Sequence, residues 1–331
     1  MMPIEIIPAL TVTGPTMAVP GPLWLFHLLQ WLTFTLHLTA MNLLFGGLLL
    51  FAFGKTNPLR IQLYESLTKV LPVAMAATIT LGVAPLLFLQ VLYGELFYSA
   101  SIISGWNWFL IIPVVIVVYY SLYLVAMNKA MSEGVKQMLL YLVLAGLVYI
   151  SYTFTMISDL VEKPALWARL YEASPAGTAL NPSHTETFFR WAHIITGATA
   201  VAGIIVQLFA LFNKKVTDSR RLLIFGGRVF LMSITTAAVL AIIYLFVIDR
   251  QLLNRFLLSP GLHAILGAIV INIVIAVLVY RSINSKSPKR LVIGSSVLVF
   301  VGVFCMVIGR HFLRLEYLQG RFDPASLSVQ T

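Results

Sequence analysis

From Leu23 to Phe53 the chain runs for about thirty residues without a Lys, Arg, Asp or Glu, yet it carries two histidines, His27 and His37. At about 1.5 Å per residue, a helix of that length crosses a bilayer with tilt to spare. Hydrocarbon does not solvate an imidazole, so a histidine held there needs a partner: a proton, a counter-charge or a metal. The rest of the chain reads as scaffold and partners for such histidines.

Composition places the whole chain in the same class. Of 331 residues, 60% are hydrophobic and only 10% charged, with mean hydropathy +0.93. Soluble domains carry about a quarter charged residues, so an integral membrane protein is expected. Eight apolar segments follow one another, at 23–53, 70–98, 106–127, 137–158, 187–212, 227–248, 262–281 and 290–309. The expected fold is all-α and polytopic, with eight transmembrane helices. An external segment 1–22 comes first, without the basic start of a secretory signal. A four-helix bundle over 23–158, an external loop over 159–186, a second bundle over 187–314 and an external tail over 315–331 follow.

Loop charge sets the orientation. Fourteen of the 22 Lys and Arg residues, but three of the 12 acids, fall in the loops 54–69, 128–136, 213–228 and 281–290. That face is expected to be cytoplasmic, with both termini periplasmic and the chain in the cell's inner membrane. The net charge of +10 is thereby accounted for without a nucleic-acid partner. The single cysteine, Cys305, excludes an intrachain disulfide and any paired-thiol metal motif.

A faint repeat is visible. Gly47 follows His37 by ten residues, and Gly203 follows His193 by ten. Met156 ends segment four in much the setting in which Met306 ends segment eight. Two parallel four-helix repeats are the implied arrangement.

Alternating the segments across the bilayer puts His27, His193, His263 and His311 in the external half, with His37 about 15 Å deeper than His27. The cytoplasmic half receives none. Gly197 lies one turn beyond His193, Gly267 one turn beyond His263, and Met41 one turn beyond His37. A small residue one turn from a histidine leaves room for a flat macrocycle. Neutral imidazoles in an apolar bundle suit b-type haem, whereas zinc would want carboxylates or thiols that these helices lack. Arg190 and Arg310 stand at the external ends, where propionates need cations. Glu95, near the external end of segment two, is the candidate for proton or quinol handling. His184, in the loop beside Pro182, reads as surface. Pro85 is expected to kink its helix.

The run Phe34 to Asn42 (FTLHLTAMN), followed by Gly46 and Gly47, resembles the first helix of cytochrome bd quinol oxidase subunit I and its shorter relatives. The resemblance implies histidine haem ligands in helices one and five, which His37 and His193 match in order and orientation. Gly309-Arg310-His311 is similar to a Gly-Arg element of that family. The oxidases carry a glutamate ligand just before that element, where this chain has Met306, Val307 and Ile308. Their long quinol loop corresponds here to a connection of about a dozen residues, Asp249 to Gly261.

The expected function is therefore electron relay between membrane quinol and a periplasmic redox partner, such as a c-type cytochrome, within a hetero-oligomeric complex. The expected cofactor is haem b, two copies by ligand count and up to three. His37 and His193 are the leading ligands, and His263, His27 and His311 are further ones. A haem-free quinone-binding anchor of a periplasmic oxidoreductase and a proton-coupled transporter are the alternatives.

Overall fold

The computed structural model describes residues 18–52, 58–214, 216 and 218–329. Residues 1–17 of the N-terminal segment, together with Phe53, Lys55 and Lys215, lie outside the described residues.

Eight helices are long and apolar enough to cross a membrane. They are α1 (Leu23–Leu50), α2 (Ser66–Ile103), α3 (Gly105–Met127), α4 (Glu133–Val161), α5 (His184–Phe212), α6 (Ser219–Val247), α7 (Gly261–Asn284) and α8 (Lys289–Leu318). Each corresponds to one of the eight apolar segments, and all but α1 extend beyond theirs at one end or both, because polar and charged residues continue a helix beyond the hydrocarbon. Caps mark several ends: Ser132 accepts from Val135 N–H before α4, and Asp218 from Arg221 N–H before α6. The chain is an all-α, multi-pass membrane protein.

Consecutive helices pair as hairpins: α1 with α2, α3 with α4, α5 with α6, and α7 with α8. Leu44, Phe45 and Leu48 of α1 form a core with Leu71 and Met75 of α2, Leu122 of α3 and Val143 of α4. Ala200 and Ile204 of α5 form another with Phe230 of α6 and Ile275 and Val279 of α7. The halves meet where α1 crosses α5. Gly46 is the enabling residue, since a Cβ there would overlap the Ala198 carbonyl oxygen and lie 2.7 Å from the Ala202 Cβ. Large apolar side chains such as Val73, Ile116, Met232, Phe246 and Ile273 point outward, the surface that a bilayer covers.

The register of α1 on α2 recurs in α5 on α6. His37 and Gly47 lie 156 residues before His193 and Gly203, while Thr78, Leu67 and Leu71 lie 159 before Ala237, Gly226 and Phe230; the contacts correspond one to one. The repeat legible at the two histidines thus extends to the helices they face.

Two details of α2 matter. Its departure from helical dihedrals falls at Tyr93 (φ −137°, ψ 28°), two turns beyond Pro85, where the sequence placed the kink. Beyond the break, the last three turns or so of α2 pack toward α4 and the connection after it, burying Tyr93, Leu96 and Phe97 with Ile157, Leu160 and Trp167. At this same end Val19 N–H donates to Ser328 O at 2.7 Å, drawing the C-terminal tail against the entry to α1. This is the long-loop end of the bundle; the opposite one is the basic-loop end.

Candidate functional site

Three groups of polar side chains sit between the midplane and the long-loop end. The first is the pair of deep histidines. His37 Nδ1 lies 3.0 Å from the carbonyl oxygen of Thr78 on α2, and His193 Nδ1 lies 2.9 Å from that of Ala237 on α6. A carbonyl can only accept, so in both rings Nδ1 carries the proton and Nε2 presents its lone pair. The His37 ring rests against Gly82, whose missing side chain makes the contact feasible: a Cβ would stand 2.8 Å from Nδ1. Thr33, Thr35 and Thr39 spend their hydroxyls on carbonyls of their own helix, so they do not compete for the ring. Gly197, one turn below His193, faces open space.

The second group joins α1 to α8. The rings of His27 and His311 are 4.7 Å apart and edge to face. Trp31 lies 5.1 Å from His311 and stacks over His27 at 6.1 Å. Direct contact leaves no space for a macrocycle between the two imidazoles, so as placed they do not sandwich one. Nδ1 of each histidine and Nε1 of Trp31 are buried with no hydrogen-bond partner.

The third group is an ion network tying α4, α5 and α8 together. Glu162, just past the end of α4, is buried and receives Arg310 on both carboxylate oxygens, Arg314 at 3.3 Å and Arg190 at 3.4 Å. Asp159, one turn earlier, takes Arg190 and accepts from Thr187 Oγ1 at 2.5 Å. Arg190 also donates to Ser158 at 2.9 Å. Lys163 pairs with Glu186 at 2.5 Å, and the Tyr317 hydroxyl donates to the same carboxylate. Burial alone would raise the Glu162 carboxyl, but the guanidiniums of Arg310, Arg190 and Arg314 outweigh it and hold the pKa at about 2. Arg310 spends only Nη2 here; its Nε and Nη1 are buried and unpartnered.

The structure therefore brings His27 together with His311, and Arg190 together with Arg310 through the shared carboxylate of Glu162. It separates the remaining candidates. His263 is exposed on α7, with Gly267 one turn below it in open space. Glu95 points outward from α2 and is exposed, while Tyr93, two residues before it, is buried. His184 is exposed at the start of α5, as expected of a surface residue. Asp159 and Glu162 are the buried acids of this region that sequence reasoning missed. The sequence offered only a hint: outside the four basic loops it carries eight basic and nine acidic residues, in close balance. Among the described residues no three His, Cys, Asp or Glu side chains converge as a metal site.

Comparison with protein-family models, with curated proteins and with solved structures found no match for the chain.

Proposed function

We propose that this chain is a membrane cytochrome b that relays electrons between membrane quinol and a redox partner at its long-loop face. One observation carries the reading: two histidines inside apolar spans, each with Nδ1–H tied to a backbone carbonyl of the neighbouring helix and Nε2 left to ligate. Metal-bound histidines are held in this way, with the second ring nitrogen donating to a carbonyl or carboxylate that fixes tautomer and orientation.

Other features fit haem b. Open space beside Gly197 admits the face of a macrocycle next to His193, and the unspent Nε and Nη1 of Arg310 suit a propionate at the membrane edge. Bound haem supplies a one-electron couple whose potential follows ligand identity, burial and nearby charge. The chain orients the imidazoles, excludes water with Leu, Ile and Val, and holds positive charge near the long-loop surface. His263, exposed and followed by the Gly267 notch, is the candidate ligand for a second haem. By the positive-inside rule the basic-loop end faces the cytoplasm, which places the long-loop face and a c-type cytochrome partner in the periplasm of an inner-membrane complex.

A reduced-minus-oxidised visible spectrum of the purified chain, with pyridine haemochrome quantitation, tests this. About two haems b per chain, reduced by a quinol analogue and diminished in His37→Ala and His193→Ala, are expected. Absence of a Soret band in protein made with ample haem would sink the cytochrome reading in favour of a haem-free quinone anchor or a proton-coupled transporter.

A further inference from the structure

We infer that His27, Trp31 and His311 form a site for the ring of a quinol or quinone. This rests on the reading of the chain as quinol-linked, and it moves the ring site away from Glu95, which faces outward from α2.

Three ring nitrogens of this contacting cluster are buried without partners: Nδ1 of His27, Nδ1 of His311 and Nε1 of Trp31. An unmet buried polar atom is costly, and three in one ring-stacked cluster imply an oxygen-bearing group that meets them. His311 is buried at 8% exposure, while His27 and Trp31 are half-buried, so the cluster reaches the surface on the α1 side.

The donor set selects the ligand. Indole N–H can only donate, whereas each imidazole Nδ1 donates or accepts according to its tautomer. One fixed donor and two reversible groups match a ring oxygen that is a carbonyl in one redox state and a hydroxyl in the other. The partly exposed rings of His27 and Trp31 offer aromatic surface that suits a flat ring. An anion would find the guanidinium of Arg310, the preceding residue on α8, rather than three neutral rings. A metal ion would want a third ligand that the described residues do not bring to these two histidines.

Depth agrees with this. His27 is about 6 Å inside the start of α1, and His311 about 10 Å inside the end of α8. A ring at that level lies just under the head groups, with its isoprenoid tail in hydrocarbon.

The test is a titration of the purified full-length protein with decylubiquinone and, separately, menadione, read by tryptophan fluorescence, with haem content measured on the same samples. Saturable quenching is expected in the wild type. His27→Gln and His311→Gln should weaken it about tenfold, the loss of one good hydrogen bond. Trp31→Phe keeps the aromatic wall and should remove most of the saturable quenching; it decides the matter should either histidine variant fail to fold. Haem content should be unchanged in all three. Unchanged affinity in the histidine variants with quenching intact in Trp31→Phe, or no saturable quenching by either quinone in the wild type, would overturn the site. A Soret band with unaltered quinone affinity would overturn this inference alone; quinone binding without a Soret band would overturn the cytochrome reading alone.

Discussion

The imidazole of His37 lies flush against Gly82, so close that a Cβ on that glycine would stand 2.8 Å from Nδ1 and 2.9 Å from Cε1. The contact fixes the ring plane, and the bond from Nδ1 to Thr78 fixes its rotation. Gly82→Ala must push the ring aside, at a cost of about 1–3 kcal/mol for overpacking. A lower apparent melting temperature is expected, together with haem loss or a shifted Soret band. An unchanged spectrum in a normally folded variant would mean that His37 is not a ligand.

Gly197 supplies the opposite case. A Cβ there meets nothing within 4 Å, so Gly197→Ala should leave the fold intact and stabilise the helix by about 0.5–1 kcal/mol. If a macrocycle lies against this face of α5, the same methyl group should lower haem occupancy. The expected result is a stable protein with less haem per chain, measured by pyridine haemochrome. Full occupancy would remove Gly197 from the site.

Much of this fold was legible because hydropathy reports burial in lipid directly. All eight spans fall on their apolar segments, most ends within about a turn and the start of α6 and the end of α8 more than two turns out, since a charge-free run of twenty residues has few alternatives. His37 and His193 were legible for the same reason, as polar exceptions inside apolar runs. Asp159 and Glu162 were not. A charge at a helix end reads as the point where the membrane stops, and nothing in one sequence says that Arg190, Arg310 and Arg314, on two distant helices, converge on that point. The contact of His27 with His311 is equally a product of tertiary packing, as α1 and α8 lie at opposite ends of the chain. The break at Tyr93 escaped because proline rules locate a weakness in a helix, while the packing of Tyr93 against Phe322 and under Arg314 decides where the helix turns.

The seam between α1 and α5 depends on Gly46. Gly46→Leu should drive the halves apart, because a Cβ already overlaps the backbone carbonyl of Ala198, and a carbonyl cannot move without its helix. Destabilisation of at least 1–3 kcal/mol is expected, with a visible loss of monodisperse protein on size exclusion. Gly134→Ala, at an open position near the start of α4, is the matched control and should behave as wild type.

Glu162 offers the sharpest stability test. Its carboxylate compensates three guanidiniums in a buried setting, so Glu162→Gln leaves uncompensated charge and should cost about 3–5 kcal/mol. The pH dependence follows from its pKa of about 2 in the folded chain against an ordinary value of 4.5. Between these values the unfolded chain binds more protons than the folded one, so stability rises with pH across that window. The contribution is complete above the unfolded value and is lost as pH falls through the folded one. Melting temperatures of wild type and Glu162→Gln should therefore differ most at pH 7 and converge as pH falls from about 4.5 toward 2. Carboxylates outside this network titrate in the same range and shift both proteins alike, which leaves the gap between the two curves as the readout. A variant that melts with wild type at pH 7 would show that the network contributes no net stability at this end of the bundle.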